Sequence, residues 1–324
     1  MSKAISEAAF DGSDALGAPQ AIADSPWVVM KFGGSSVSTA DNWNTIVELT
    51  KRRLDQGLKP VIVHSALKGI SNTLEEILDA AVVSDPSELL GTIRTRHYEL
   101  AAELGLDGAA LLDETLHELD QLVAGVRLIK EVSVRVRVRI MALGELMSTR
   151  LGAEFLASAG VPVQWVDARD LLVSKQGGGR NPVNAYLSAT CNFEPDEAVR
   201  SALASHAKVI VTQGFIARNP GGDTVLLGRG GSDTSAAYIA AILGARRLEI
   251  WTDVPGMFSA DPRVVPSARL LIALHYDEAQ ELASAGSSVL HPRCISPLRE
   301  YCIPLFVRST TTPEIAGTVI SSVT

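Results

Sequence analysis

Short apolar runs alternate with helical patterns from residue 26 onward and predict a parallel sheet. Residues 27–32 and 60–64 are largely apolar and are followed by glycine and serine, respectively, which is typical of buried strands. Between them, an apolar stripe from Ile46 to Leu54 predicts a helix that begins near Asp41 and ends at Gly57. Since a strand, a helix and a strand follow one another closely, they predict a βαβ unit with parallel strands.

Helical spacing then dominates residues 73–160 and predicts a long helical insertion in the α/β fold. Within it, residues 132–139 alternate valine with serine or arginine, and this period of two by itself favours a strand. The later segments predict strands at 163–167, 208–213, 247–251 and 304–307, a hairpin turned at 219–223, an alanine-rich helix ending at Leu243, and helices at 277–283 and from 292.

Composition limits the class of protein. With 324 residues and 46% hydrophobic content, the chain forms either one large α/β domain or two fused lobes. A net charge of −8 disfavours nucleic acid and anionic membranes as partners, and no stretch reaches membrane-spanning length. Residues 1–25 lack the pattern of a secretory signal and are predicted to be a flexible tail. Three cysteines without CxxC spacing indicate reduced thiols and a cytoplasmic protein.

Two glycine-rich segments are candidates for binding anions. Lys31 comes directly before Phe32 and Gly33-Gly34, where glycine allows successive amides to point at a phosphate, although this pattern is also typical of a charged strand end and a turn. Residues 228–233 read Gly-Arg-Gly-Gly-Ser-Asp; Arg229 suits a carboxylate, and Ser232 or Asp233 suits a helix cap. A solvated arginine on a capped glycine loop explains the second segment equally well.

A third segment, residues 251–263, follows a predicted strand with small and acidic residues, where nucleotides bind in parallel α/β folds. Glu145 is an acidic residue among apolar neighbours on a predicted helix, where most glutamates are exposed. A GxxxxGK[ST] motif, zinc-ligand spacing and a GxSxG motif do not occur, which excludes Walker-type, zinc and serine-hydrolase sites.

Six segments in this order resemble aspartokinase, and nearest to them is the aspartokinase half of fused aspartokinase/diaminopimelate decarboxylase proteins. They are KFGGSSV at 31–37, GELMS at 144–148, TQGFI at 212–216, GRGGSD at 228–233, WTDVPG at 251–256 and VLHP at 289–292. The resemblance implies an α/β fold of the amino-acid kinase (carbamate kinase-like) type: a three-layer sandwich with a mostly parallel central sheet. It places residues 132–139 in a helix leading to Glu145, against the strand pattern. It also implies one catalytic domain at 26–324, with a substrate lobe at about 26–205 and a nucleotide lobe at about 206–324.

The implied activity is ATP-dependent phosphorylation of the side-chain carboxylate of L-aspartate to 4-phospho-L-aspartate, the first step towards lysine, threonine and methionine. The resemblance assigns catalysis to Lys31 and Asp233. It assigns aspartate binding to Ser65, Ser71, Glu145, Arg229 and Ser232, and ATP binding to Lys31, Gly33, Gly34, Ser35, Gly230, Gly231, Thr252, Asp253, Phe258 and Arg263. Mg²⁺ is expected to arrive with ATP rather than in a protein metal site. The implied partners are these small molecules, with a homodimer left open.

The chain departs from the family at three places. Ser288 stands where the family usually has a lysine near the nucleotide; losing such a contact costs about 1.5–3 kcal/mol and predicts weaker ATP binding or a compensating residue. Ser35 replaces the usual threonine. The sequence ends at Thr324, where the family's regulatory ACT domains would begin, so no ACT domain and no feedback inhibition through one is predicted.

Two alternatives remain open. The same fold phosphorylates different amino acids or carboxylates in other proteins, and the residues from Ser65 to Ser71 together with Arg229 would decide the acceptor. A non-catalytic binding or regulatory homologue is the second alternative. The missing lysine favours it, whereas the presence of Lys31, Arg229 and Asp233 argues against it.

Overall fold

One central sheet of eight strands carries the candidate site at one edge. The computed structural model describes residues 16–175, 181–205, 208–286 and 289–323. The strands are β1 (Trp27–Phe32), β2 (Lys59–His64), β3 (Val163–Trp165), β4 (Val209–Gln213), β5 (Ile216–Arg218), β6 (Thr224–Leu226), β7 (Arg247–Thr252), β8 (Ala273–His275), β9 (Leu305–Ser309) and β10 (Thr318–Ser321). The central sheet has the order β3-β4-β2-β1-β7-β9-β10-β8, and β5 and β6 form a separate hairpin. Within the central sheet every neighbouring pair is parallel except β9 and β10.

Helices cover both faces of this sheet. They are α1 (Gln20–Ala23), α2 (Ala40–Asp55), α3 (Ile70–Val83), α4 (Ser87–Glu103), α5 (Gly108–Ile129), α6 (Val134–Ser158), α7 (Ala168–Leu171), α8 (Pro182–Leu187), α9 (Glu197–Ala204), α10 (Gly231–Leu243), α11 (Tyr276–Ser284) and α12 (Ile295–Glu300), with a 3-10 helix at Pro292–Cys294. Alternate residues of β1 enter different cores: Val28 and Met30 join the core of α2, α3, α5 and α6, and Trp27 and Val29 join the core of α10. This confirms the predicted three-layer, mostly parallel α/β fold.

Within the valine and arginine alternation at residues 132–139, residues 134–139 lie in a helix, and none of the eight residues lies in a strand. Helix α6 begins after Ser133, whose hydroxyl accepts a hydrogen bond from the amide of Val136 at 3.3 Å. In a helix, residues two apart point to different sides, so the long arginine side chains reach acids on separate elements. The pairs are Arg135 with Asp223, Arg137 with Glu75 and Arg139 with Glu118. The helix implied by the resemblance is therefore confirmed, and the strand favoured by the local period of two is wrong.

The beginning of α2 corrects one helix cap. Thr39, and not Asp41, is the N-cap residue, and its hydroxyl accepts a hydrogen bond from the amide of Asn42 at 3.4 Å. Asp41 lies in the first turn, where its negative charge interacts favourably with the positive end of the helix dipole. The predicted position of the helix is right to within two residues at its start.

Part of the predicted tail is packed against the domain. Residues 1–15 lie outside the described residues, but Leu16 is buried against Phe306 and Val319. The hydroxyl of Ser322 donates to the carbonyls of Leu16 at 3.4 Å and Gly17 at 3.1 Å. Leu16 is therefore packed against the last strands of the sheet, and the flexible tail of residues 1–25 stays a prediction. None of the described helices combines the length and the apolar character needed to cross a membrane.

Candidate active site

Two cavities lie side by side at the edge where the parallel strands end. The β1 cavity, of 300 Å³, is lined by Lys31, Ser65, Ser71, Glu145, Phe215 and residues 228–233. The β7 cavity, of 570 Å³, is lined by residues 252–254, residues 258–263, Leu282, Ala285, Gly286 and Val289. Because β1 and β7 are neighbouring parallel strands, their carboxyl ends place the two cavities next to each other. Open α/β sheets bind ligands at this edge.

Lys31 and Asp233 form an ion pair in the β1 cavity. The Lys31 ammonium lies 2.7 Å from Asp233 Oδ1, and the two side chains are 11% and 12% exposed. Asp233 stands in the first turn of α10, which packs against β1. The suggestion that Ser232 or Asp233 caps this helix was wrong: the N-cap residue is Gly230, and no side chain caps the helix. The helix N-terminus and the Lys31 ammonium thus both face the β1 cavity with positive charge.

Glu145 is buried in the wall of the same cavity. It projects from α6, is 2% exposed, and its Oε1 accepts a long hydrogen bond of 3.4 Å from the amide of Ala66. Its other oxygen, Oε2, has no hydrogen-bond partner within the described residues. Burial raises the pKa of Glu145 to about 8, and the Ala66 hydrogen bond offsets part of this effect. A buried carboxyl group with one unpaired oxygen is suited to a cationic ligand group.

Serine hydroxyls join the two sides of the β1 cavity. Ser65, directly after β2, donates to the hydroxyl of Ser232 at the start of α10 over 2.9 Å. Ser71, on α3, lines the cavity next to them. Gly214 permits this approach, since a Cβ atom there would lie 2.5 Å from the Cβ of Ser232.

The glycine loop at 228–231 requires glycine for steric reasons. Gly230 has a φ of +63°, and a Cβ atom at this position would lie 2.2 Å from the Cβ of His291. A Cβ atom on Gly231 would lie 2.5 Å from the ring of Phe215. The loop therefore brings its backbone and Arg229, which is exposed, to the rim of the cavity.

The loop after β1 connects the two cavities. The amide of Gly33 donates to the carbonyl of Trp251 at 3.2 Å, one residue before Thr252 of the β7 cavity. Gly34 approaches the loop after β2 closely, since a Cβ atom there would lie 2.8 Å from the carbonyl oxygen of Ala66. The carbonyl of Ser35 accepts a hydrogen bond from Asn42 at 3.0 Å. Gly33, Gly34 and Ser35 are thus held between Lys31 and the end of β7.

The β7 cavity brings together the predicted nucleotide residues Thr252, Asp253, Phe258 and Arg263. The Thr252 hydroxyl donates to Asp253 at 3.2 Å, and the Arg263 guanidinium lies 2.9 Å from Asp261. Arg263 is 81% exposed, so this ion pair is weak. Ser288, the predicted site of the missing cation, lies outside the described residues. Within the described residues no group of three or more His, Cys, Asp or Glu side chains could hold a metal ion.

The sequence profile of the Amino acid kinase family matches residues 26–309. The chain belongs to this family. Lysine-sensitive aspartokinase 3 of Escherichia coli (strain K12) is 33% identical to this chain over 309 residues, covering 92% of the chain and 64% of the relative. Chloroplastic aspartokinase 1 of Arabidopsis thaliana is 35% identical over 299 residues, covering 90% and 52%. The chain therefore spans between about half and two thirds of the length of these curated relatives.

Solved structures agree with the sequence comparison. The crystal structure of E. coli aspartokinase III in complex with aspartate and ADP superposes with a TM-score of 0.80 at 32% identity, covering 92% of this chain and 65% of that chain. UMP kinase from Bacillus anthracis, at 15% identity and a TM-score of 0.51, shares the fold. The predicted resemblance to aspartokinases is confirmed, and the narrower likeness to fused aspartokinase/diaminopimelate decarboxylase proteins stays a prediction.

Sequence reasoning missed some residues of this amino acid kinase site. Phe215 lines the β1 cavity with a left-handed backbone, φ 68°, and residue type gives no signal for such a conformation in phenylalanine. Gly228, with a φ of +75°, belongs to the GRGGSD segment, but the resemblance assigns it no role. His291, in the VLHP segment, packs against Gly230 behind the cavity. The left-handed Phe215 and the packing of His291 depend on contacts between distant segments.

Proposed function

We propose that this chain catalyses ATP-dependent phosphorylation of the side-chain carboxylate of L-aspartate to give 4-phospho-L-aspartate and ADP. The observation that carries the proposal is the β1 cavity, where the Lys31–Asp233 ion pair, Arg229 and the buried Glu145 surround one space beside the β7 cavity. The aspartokinase relatives, one of them solved with aspartate and ADP, support the same reaction. A carboxylate oxygen attacks the γ-phosphorus of ATP, and the bond between this phosphorus and the β–γ bridging oxygen breaks.

Aspartate binding is assigned to the charged residues of the β1 cavity. Arg229 suits the α-carboxylate because a guanidinium pairs with both carboxylate oxygens. Glu145 suits the α-ammonium, since its Oε2 is buried without a hydrogen-bond partner within the described residues. Ser65, Ser71 and Ser232 offer hydroxyl groups for the remaining polar atoms.

Phosphoryl transfer is assigned to Lys31 and the loop that follows it. Asp233 fixes the Lys31 ammonium at the end of β1, so the ammonium can neutralise charge on the transferring phosphoryl group. The amides of Gly33, Gly34 and Ser35, with those of Gly230 and Gly231, are placed to cradle phosphate oxygens.

The β7 cavity is assigned to the nucleotide, with Thr252, Asp253, Phe258 and Arg263 in contact with it. Mg²⁺ bound to the ATP phosphates supplies further charge neutralisation when it is present. Asp253 lines the β7 cavity, and its carboxylate would be available as a ligand to such a metal, whereas the carboxylate of Asp233 is paired with Lys31.

The proposed substrate lobe, residues 26–205, and nucleotide lobe, residues 206–324, do not each contain one complete binding site. The β1 cavity takes Lys31, Ser65 and Glu145 from before the proposed boundary near residue 205, and Arg229 and Asp233 from after it. Aspartate is therefore expected to contact both lobes. A homodimer and a cytoplasmic location stay predictions.

The decisive experiment measures ADP release with a panel of amino acids and traps the product with hydroxylamine. L-Aspartate is expected to give both ADP and an aspartyl hydroxamate, because an acyl phosphate reacts with hydroxylamine. ADP without hydroxamate would exclude carboxylate phosphorylation. A hydroxamate formed with another amino acid and not with aspartate would identify a different acceptor on the same fold.

A further inference from the structure

One short segment, residues 289–293, contacts both cavities. Val289 lines the β7 cavity, and Leu290 is buried in the core of α10. His291 packs so closely against Gly230 of the β1 cavity that a Cβ atom on this glycine would lie 2.2 Å from the His291 Cβ. His291 Nδ1 also accepts a hydrogen bond from the amide of Arg293 at 3.3 Å. The segment is therefore a direct physical connection between the cavity proposed for the nucleotide and the cavity proposed for the acid.

Arg293, the last residue of this segment, forms hydrogen bonds to two other parts of the chain, Leu227 and residues 188–190. Its Nη1 donates to the carbonyl of Leu227 and, at 3.4 Å, to the hydroxyl of Ser188. Its Nη2 donates to the carbonyl of Ala189 at 2.7 Å and to the hydroxyl of Thr190 at 3.5 Å. Every acceptor is a neutral oxygen. The planar guanidinium thus binds two backbone segments at once, which a lysine ammonium cannot do with the same geometry.

These hydrogen bonds fix the base of the glycine loop. Leu227 directly precedes Gly228, and Gly228 lies against Ser188, since a Cβ atom on this glycine would lie 2.9 Å from the Ser188 hydroxyl. Arg229 is the next residue, so its position depends on where this base is held. Among the described residues that line the two cavities, Arg293 is not present. Its influence on the acid is therefore indirect.

We propose that Arg293 is a positioning residue that fixes the glycine loop for the acid substrate, and that residues 289–293 couple nucleotide binding to acid binding. This inference rests on the proposed function, because it takes the β1 cavity as the acid site and the β7 cavity as the nucleotide site. A nucleotide that contacts Val289 restrains the segment, and the restraint reaches the glycine loop through His291 and Arg293. Occupancy of the nucleotide cavity then raises the affinity for the acid.

The test compares the full chain with Arg293→Ala, Arg293→Lys and Arg299→Ala. Arg299 is the matched control, since it is exposed on the adjacent helix α12 and pairs with Asp277. Calorimetry would measure L-aspartate binding with and without saturating ADP and Mg²⁺, and ADP binding alone. Arg293→Ala is expected to weaken aspartate binding roughly tenfold or more and to abolish the effect of ADP on it. ADP binding alone should change by less than about twofold, as should both affinities in Arg299→Ala.

Arg293→Lys keeps the positive charge but loses the planar guanidinium that binds two segments at once. Its aspartate affinity should therefore lie between those of Arg293→Ala and the wild type. Wild-type aspartate affinity and coupling in a folded Arg293→Ala variant would overturn the proposal, and so would an equal loss of ADP and aspartate binding. If Arg293→Ala does not fold, Arg293→Lys decides, and unchanged acid binding and coupling in that variant would overturn it. If the wild-type chain does not bind L-aspartate, the proposed function fails instead. Arg293 is then tested with the acid that the hydroxamate panel identifies.

Discussion

The β1 cavity and the β7 cavity share one edge of the sheet but differ in how the chain supplies their walls. The β1 cavity collects Lys31, Ser65, Glu145 and Asp233 from β1, the end of β2, α6 and α10. The β7 cavity takes most of its residues from one continuous stretch, 252–263. A cavity assembled from distant elements depends on the whole fold, whereas a cavity built from one loop depends mainly on that loop.

The two cavities also differ in how far their charges are removed from water. The Lys31–Asp233 pair is 11% and 12% exposed, whereas the Arg263–Asp261 pair is 81% and 42% exposed. Coulombic interactions strengthen as water is excluded, so the same kind of ion pair has more influence in the β1 cavity. We therefore expect substitutions in the β1 cavity to have the larger effects.

The largest effect is expected for Lys31→Met, which should lower kcat roughly 1,000-fold or more because it removes a cation from the transferring phosphoryl group. It also leaves Asp233 buried without its partner, which costs about 3–5 kcal/mol of stability. The double variant Lys31→Met/Asp233→Asn should recover stability but not activity. Steady-state kinetics and urea unfolding measure the two effects. Lys51→Ala, a change at an exposed residue of α2, is the control. A Lys31→Met variant within tenfold of wild-type kcat contradicts the role of Lys31.

The next effect concerns stability towards acid, which depends on two buried histidines. Burial lowers the pKa of His64 and of His97 to about 4, so both are neutral in the folded protein. Their contribution to stability is complete above pH 6.5 and is lost as pH falls towards 4, because the unfolded chain then binds protons more tightly. Each histidine should reduce the free energy of unfolding by about 2 kcal/mol between pH 7 and pH 5.

Urea unfolding across this pH range measures the loss. His97→Gln should show a shallower pH dependence than the wild type, because this variant has no buried imidazole to protonate at position 97. Equal pH dependence in the His97→Gln variant and the wild type would show that His97 binds protons equally in the folded and unfolded states.

A smaller effect is expected for Glu145→Gln. Losing the charge-assisted contact with the substrate ammonium should weaken binding by about 1.5–3 kcal/mol. This loss corresponds to a rise in the KM for aspartate of roughly 10- to 150-fold. Since burial raises the pKa of Glu145 to about 8, aspartate affinity in the wild type should increase from pH 7 to pH 8.5 as this carboxyl ionises. Calorimetry should detect proton release on binding at pH 7. A Glu145→Gln variant that keeps the same pH dependence would assign the titration to another group.

The smallest effect is expected in the β7 cavity. Arg263→Ala should raise the KM for ATP by less than roughly fivefold, because its ion pair with Asp261 is exposed and weak. The KM for aspartate should stay unaltered in the same kinetic assay. A rise in the KM for ATP as large as the rise in the KM for aspartate in Glu145→Gln would contradict the contrast between the two cavities. It would show that nucleotide binding buries Arg263.

Several parts of this protein follow from local sequence alone. The apolar run at β1, the glycine turns after β1 and before α10, and the acidic strand end at Thr252 and Asp253 are local patterns, and each lies where the sequence predicts. The order of six motifs was enough to predict the family and hence the three-layer fold. The helix of residues 134–139 needed this resemblance, because its local alternation favours a strand.

Other parts were decided only by tertiary structure. Lys31 pairs with Asp233, Glu145 is buried beside Ala66, Phe215 takes a left-handed backbone, and Arg293 binds Leu227 and Ala189. Strand and turn patterns depend on residues a few positions apart, so a sequence contains them directly. The partner of a charge, and the water it loses, depend on which distant elements the topology brings together. The sequence therefore determined which residues were available for the site, and the packing of β1, α6 and α10 determined what each of them meets.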